Sequence, residues 1–326
     1  MKRRYATADV FTDRMFGGNP LAVVLDAEGL SSSQMQSIAL EFNYSETTFV
    51  LPPDDSAHTA KVRIFTPRIE VPFAGHPNVG TAFVLARDPR FAAAAARGTF
   101  MFEETAGVVP LTLLAENGAV VGAELRALQP LSRKSVVSRE IAAACLSLDP
   151  ADIAVQKHPP QVISVGLPFL AVELRSRDAL FRSKPDAAAH AALLPLDGAD
   201  AVFAYWRAPD ESIARAETGQ RDLLAPKITV LHARTFAPLD GVIEDPATGS
   251  ACAATITFLA TLEADGLSGD GGTDGGRSER AWRIYQGVDM GRPSLLLGRT
   301  TGRAGALLET FIGGRCVAVL QGSFLL

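Results

Sequence analysis

Residues 63–76 read Arg63-Ile64-Phe65-Thr66-Pro67-Arg68-Ile69-Glu70-Val71-Pro72-Phe73-Ala74-Gly75-His76. Half a chain later the sequence reads Arg234-Thr235-Phe236-Ala237-Pro238 and then Glu244-Asp245-Pro246-Ala247-Thr248-Gly249-Ser250. The R-x-F-x-P blocks lie 171 residues apart and the E-x-P-x-x-G blocks 174 apart, a difference that a three-residue loop insertion explains. At the second offset Thr81 matches Thr255, Leu85 matches Leu259 and Ala86 matches Ala260. Upstream, Gly18-Asn19-Pro20-Leu21-Ala22-Val23 echoes Gly166-Leu167-Pro168-Phe169-Leu170-Ala171-Val172 with one inserted residue. The blocks keep their order in both halves. A period this long is no solenoid; it predicts two similar domains from a duplication. We place them at residues 1–145 and 146–326, with the C-terminal segment able to pack back onto the first.

Local signals alternate within each half. Ser33-Gln34-Met35-Gln36 has the form of a capping box, and Met35, Ile38, Ala39 and Phe42 follow helical spacing. Thr47–Leu51 and Val62–Phe65 are short, β-rich and read as strands. Pro77 suits a helix's first turn, and Asn78–Ala86 runs apolar behind it. The matching second-half helix is expected to start after Ser250, a good N-cap, and to run to about Leu262. Ala92–Ala96 reads as a helical or surface piece without chemistry, and Gly266–Gly276, with six glycines, as a mobile surface loop.

Composition excludes several functions. The chain has 326 residues, 31 basic and 36 acidic ones, and no basic run, so it lacks the clustered positive charge that nucleic acid demands. No stretch approaches 18 uncharged apolar residues, so no membrane span is expected. Asp9, Asp13 and Arg14 interrupt the basic start before an apolar region forms, which argues against a secretory signal and for the cytoplasm. Cys145, Cys252 and Cys316 form no C-x-x-C pair and read as reduced thiols. Phosphate-loop, dinucleotide, zinc-protease and serine-hydrolase motifs are all missing, and the five histidines include no i, i+4 ligand pair. Neither a metal nor another cofactor is expected.

Both repeats end in a glycine followed by a polar residue that opens a helix. Unpaired N–H groups and a partial positive charge at such a start suit a carboxylate or enolate. Equally, Gly75 and Gly249 could simply shape turns. His76 replaces Ser250 between the halves, and Val71 replaces Asp245. A histidine at a helix start stays neutral near pH 7, a donor and acceptor in one ring. Ser250 could be a plain N-cap and Asp245 a turn residue. Glu46, between the first helix and the strand after it, reads alone as an exposed strand-entry residue. Shielded in a cleft, one carboxylate can have a raised pKa and relay protons.

As a set, these blocks resemble one family. Asp9-Val10-Phe11-Thr12, Gly18-Asn19-Pro20-Leu21-Ala22-Val23, Ser45-Glu46-Thr47, Gly75-His76-Pro77, and Glu244 through Ala251 resemble the phenazine-biosynthesis isomerase (PhzF-like) family, as do Tyr285-Gln286-Gly287 and Met290-Gly291-Arg292-Pro293-Ser294. The resemblance runs from about residue 5 to the C-terminus. It implies an α+β, diaminopimelate-epimerase-like fold: two pseudo-symmetric domains, each a sheet wrapped around a central helix, with the active site in the cleft between them. It also implies a cofactor-free homodimer. The family's glutamate acid/base corresponds to Glu46, and its polar groups around the substrate to His76, Asp245 and Ser250. Asn19, Gly75, Pro77, Thr248, Gly249, Gln286 and Gly287 correspond to substrate-binding positions, with the amides near Gly75 and Gly249 as a carboxylate cradle.

The resemblance implies a cofactor-independent isomerase of a small carboxylate-bearing substrate, similar to trans-2,3-dihydro-3-hydroxyanthranilate isomerase. An amino- or hydroxy-acid epimerase or racemase of the same fold is the alternative enzyme. The two-cysteine racemases of that fold carry thiols where this chain has Ala74 and Thr248, which disfavours their mechanism. Cys252 reads as packing. A non-catalytic small-molecule binding or interaction protein is the alternative of another class, and the joint presence of Glu46, His76, Asp245 and Ser250 argues against it.

Overall fold

The computed structural model describes residues 2–209, 228–267, 278–302 and 309–326. These fall into two compact units. The first comprises Met1–Arg126, Arg292–Leu295 and Gly313–Leu326; the second comprises Ala127–Gly291 and Leu296–Ile312.

In the first unit lie β1 (Lys2–Val10), β2 (Asn19–Val24), β3 (Glu46–Leu51), β4 (Ala60–Phe65), β5 (Glu70–Val71), β6 (Thr99–Glu104), β7 (Gly107–Glu116) and β8 (Ala119–Arg126), with helices α1 (Ser32–Phe42), α2 (Gly75–Leu85) and α3 (Ala92–Ala95). β1 pairs antiparallel with β2, β2 parallel with β3, β3 antiparallel with β4, and β4 parallel with β6. β6, β7 and β8 continue antiparallel, and the last strand of the chain, β17 (Glu309–Leu325), pairs with both β8 and β1. The sheet therefore closes on itself. Closure removes the open edges that would otherwise invite aggregation.

The helix α2 is buried along its whole length, from Gly75 to Leu85. A helix apolar on every side belongs inside a core, and its weak intrinsic formers (Gly, Val, Thr) are held helical by that packing. By contrast α1 is one-sided: Met35 and Ala39 are buried in a cluster with Val24, Phe49 and Phe65, while Leu40 is exposed. Its capping box differs from the expected one. Ser31 is the N-cap, bonded reciprocally with Gln34, and Ser33 already lies inside the helix. Serines at 31, 32 and 33 present the same local chemistry, and the burial of Met35 selects the register.

The second unit repeats the ladder. It holds β9 (Ser132–Val136), β10 (Gln161–Ser164), β11 (Pro168–Glu173), β12 (Val202–Arg207), β13 (Ile228–Ala237), β14 (Val242–Asp245), β15 (Ser278–Gln286), and β16 (Ser294–Gly302) apart from its first two residues. Its helices are α4 (Arg139–Cys145), α5 (Arg177–Arg182), α6 (Ala187–Leu193) and α7 (Gly249–Leu267). β10–β11 is antiparallel, β11–β12 parallel, β12–β13 and β13–β14 antiparallel, and β13–β15 parallel. Sense and order match β1 to β6 of the first unit. The helix α7 occupies the place of α2, with Ala251 through Ala260 buried. It starts at Gly249, so Ser250 stands in the first turn and is not the N-cap. It also runs beyond the expected Leu262, to Leu267, and takes in Gly266. Residues 268–277 of the glycine-rich segment lie outside the described residues.

The repeated sequence blocks now have a physical account. Arg63 pairs with Glu70 at 2.6 Å and stacks over Phe65; Arg234 pairs with Glu244 at 2.7 Å and stacks over Phe236. In each unit the motif's Arg and Glu clasp the hairpin that leads into the buried helix, and its Phe lies under the guanidinium.

Candidate functional site

In the first unit, the starts of β2, β3 and α2 converge. Asn19 opens β2, Glu46 opens β3 and His76 is the second residue of α2. The left-handed Asn43 (φ 52°) ends α1 and turns the chain into β3, placing Glu46 at the strand entry. Glu46 Oε2 lies 3.4 Å from His76 Nδ1, and Asn19 Nδ2 lies 3.4 Å from the same nitrogen. Ser45 donates from Oγ to Asn19 Oδ1 at 3.3 Å, which turns the Asn19 amide nitrogen toward the imidazole.

Burial separates the three roles. Asn19 is fully buried and His76 nearly so, whereas the Glu46 side chain keeps 19% of its surface open. Burial lowers the His76 pKa to about 3, against a weaker opposing hydrogen bond to the Pro20 backbone. The ring is neutral at pH 7, so its approach to Glu46 is a contact between a carboxyl group and an uncharged imidazole. The α2 N-terminus adds a third element. Its N-cap, Ala74, offers no side-chain hydrogen bond, in contrast to the serine and aspartate caps of α1, α4, α5 and α6. Its first-turn amides carry the partial positive charge that suits an anion.

The second unit builds a different arrangement at its corresponding helix start. Thr248 Oγ1 donates to Asp245 Oδ2 at 2.5 Å and lies 2.8 Å from Thr235 Oγ1. The fully buried Gln286 accepts from the Thr248 amide at 3.1 Å and donates to the Asp245 carbonyl at 2.8 Å. Its Nε2 also reaches Thr235 Oγ1 at 3.1 Å and Thr248 Oγ1 at 3.0 Å. This network fixes the loop Asp245–Thr248 and leaves Asp245 and Ser250 half-buried. Gly287 follows at a φ of 69°, a left-handed position that favours glycine. Cys252 is buried within the same network, and burial pushes its thiol pKa far above the ordinary range. It is no thiolate.

The family model described as phenazine biosynthesis-like protein (PhzC-PhzF) matches residues 8–322. The chain belongs to the phenazine biosynthesis-like protein family. It is 34% identical over 326 residues to the trans-2,3-dihydro-3-hydroxyanthranilate isomerase of Pseudomonas chlororaphis, covering 99% of each protein. Among solved structures it is similar to a PhzF-family phenazine biosynthesis protein of Bacillus anthracis, at a TM-score of 0.77 and 24% identity over 100% of both chains. A predicted epimerase of Pseudomonas aeruginosa aligns at 0.71, with 28% identity over 99% of both. The fold is thus the epimerase-like α+β fold that the blocks imply. Kinship at this level supports a PhzF-like isomerase.

Among the residues expected at a PhzF-like site, the structure brings together Asn19, Glu46, Gly75, His76 and Pro77 in the first unit. It groups Asp245, Thr248, Gly249, Ser250, Gln286 and Gly287 in the second. Sequence reasoning passed over Ser45 and Thr235. Ser45 adjoins Glu46 in the quoted block. Thr235 occupies the variable position of R-x-F-x-P, where the first half has Ile64, and that polar-for-apolar exchange was the available signal. Among the described residues no three His, Cys, Asp or Glu side chains gather as a metal centre requires.

Proposed function

We propose that this protein is a cofactor-independent isomerase that moves a proton on a small carboxylate-bearing substrate, with Glu46 as the acid/base. The observation that carries this reading is the Glu46 carboxyl group, its side chain 19% exposed, 3.4 Å from a buried, neutral imidazole. Trans-2,3-dihydro-3-hydroxyanthranilate, the substrate in the name of the P. chlororaphis relative, is the first candidate. In that reaction the Glu46 carboxylate takes a proton from one ring carbon, the electron pair shifts along the allylic system, and the Glu46 acid returns a proton to another carbon. The resulting enol becomes the ketone.

Neutral His76 orients the substrate by a hydrogen bond and places no charge beside Glu46. The uncapped first turn of α2 suits the substrate's carboxylate, whose charge the helix start stabilises throughout the transfer. We assign to Asp245 the orienting of the substrate and to Ser250 a hydrogen bond to its carboxylate. Asn19, Gly75, Pro77, Thr248, Gly249, Gln286 and Gly287 shape the surroundings. A cytoplasmic homodimer completes the reading, and sedimentation as a monomer at micromolar concentration would count against the dimer.

Proton NMR in deuterated water with trans-2,3-dihydro-3-hydroxyanthranilate tests the proposal, wild type beside Glu46→Gln. Conversion with deuterium uptake by the wild type alone supports both the reaction and the base. Conversion at the wild-type rate by the variant removes Glu46 from the mechanism. Exchange with inversion at a single carbon of an amino or hydroxy acid would instead establish the epimerase.

A further inference from the structure

One block of the sequence has no task in the proposed reaction: Met290-Gly291-Arg292-Pro293-Ser294. In the structure it clasps the segment between β1 and β2. Arg292 Nη2 donates to Asp9 Oδ1 at 2.6 Å and to the Gly17 carbonyl at 2.8 Å, and Nε donates to the Gly18 carbonyl at 2.9 Å. The second Asp9 oxygen accepts from the Phe16 amide at 2.6 Å. Backbone bonds reinforce the clasp: Gly18 N–H donates to the Pro293 carbonyl at 3.0 Å, and Leu295 N–H to the Phe11 carbonyl at 2.8 Å. Asp9 is nearly buried, so its pairing with a guanidinium offering several fixed donors is strong.

The clasped segment is strained. Phe11, Phe16 and Gly18 have φ of 65°, 66° and 62°. For the two phenylalanines this left-handed backbone is unfavourable, and it persists only where surrounding contacts enforce it. The segment delivers Asn19, whose amide nitrogen faces His76 Nδ1 at 3.4 Å. With Asn19 donating, Nδ1 is an acceptor and the ring proton belongs on Nε2, a buried nitrogen without a hydrogen-bond partner of its own. Glu46 Oε2, 3.4 Å away, then faces the Nδ1 lone pair and receives no hydrogen bond from the ring. If Asn19 swings away, Nδ1 can carry the proton and donate to Glu46.

We propose that Arg292 is the positioning residue of the Glu46–His76 pair, acting through the strained segment and Asn19 to fix the His76 tautomer. The kinetic part of this proposal rests on the isomerase reading; the tautomer part does not. Nitrogen-15 NMR of the imidazoles in Arg292→Ala and Arg292→Lys, beside wild type and without substrate, reads the tautomer directly. Wild type is expected to show one neutral His76 tautomer protonated on Nε2. Arg292→Ala is expected to show mixed tautomers, with guanidinium added to the buffer restoring one. Arg292→Lys keeps the charge near Asp9 but not the fork, and is expected to lie between them.

With trans-2,3-dihydro-3-hydroxyanthranilate, kcat of Arg292→Ala is expected to fall on the order of tenfold to a hundredfold while KM changes little, as misplacement of reacting groups predicts. A His76 signal identical in wild type and both variants overturns the proposal, whatever the activity. Should Arg292→Ala not fold, the Arg292→Lys spectrum decides alone. No turnover by the wild type would remove the substrate reading and leave the tautomer result standing.

Discussion

Burial in the first unit moves His76 and Glu104 from their ordinary values, each toward its neutral form. His76 is lowered by burial to about 3, so it is neutral when folded and protonated when unfolded between that pH and its ordinary 6.5. It therefore costs stability increasingly as pH falls through that window. Glu104 ends β6 with both carboxyl oxygens buried and lacking hydrogen bonds of good geometry, and burial raises it to about 8 against a smaller pull from Asn78. Folded protein then holds a proton that unfolded protein has lost, so stability falls as pH rises from about 4.5 to about 8. Glu104→Gln is expected to flatten that slope: thermal unfolding should show a larger gain over wild type at pH 8 than at pH 5. For Glu46→Gln, turnover is expected to drop by roughly 10²–10⁴-fold, the worth of a positioned acid/base, with an unchanged melting temperature. Beyond the family block Ser45-Glu46-Thr47, nothing local in the sequence tells how differently the two carboxyl groups are placed. One opens a strand at the mouth of the sheet and the other points inward, a difference only the fold creates.

At the scale of elements, the repeated Arg–Glu clasp is the more secure in the second unit. Glu244 keeps 10% of its side chain exposed and Glu70 keeps 33%. Loss of a partner strands a more buried charge at Glu244, so Arg234→Met is expected to destabilise more than Arg63→Met in urea unfolding, by about 3 kcal/mol or more against about 1. The buried helix α2 sets a second test. A Cβ at Gly80 would lie 2.6 Å from both Leu21 Cδ2 and Val10 Cγ2. Alanine gains about 1 kcal/mol in helix propensity, but overpacking costs roughly 1–3, so Gly80→Ala is expected to be neutral to destabilising where an exposed helix would be stabilised. The propensity of Gly80 is legible in the sequence. That Leu21 and Val10 leave room for no more than a glycine is not.

At the scale of the molecule, neither compact unit is one stretch of chain. The first is completed by Gly313–Leu326, and β1 pairs along its length with β17, from Lys2 opposite Leu325 to Val10 opposite Cys316. Residues 1–126 expressed alone leave β1 and β8 each with an unpaired edge. The amides of β1 and β8 that face β17 are expected to lose hydrogen-exchange protection, and supplying residues 313–326 as a peptide should restore it.

The sequence by itself determined that there are two like units, that a helix follows the glycine of each repeat, Gly75 or Gly249, and that Glu46 stands at a strand entry. Those facts rest on period and on local chemistry, which neighbouring residues carry. Tertiary structure alone decided that the cap of α1 is Ser31, that Ser250 lies inside its helix, and that Thr235 and Gln286 hold the Asp245 loop. It alone joined Asp9 to Arg292. Ser31 and Ser33 are alike until Met35 is buried, and Asp9 and Arg292 are nearly the whole chain apart. No local pattern encodes a bond whose partners meet only after the sheet has closed.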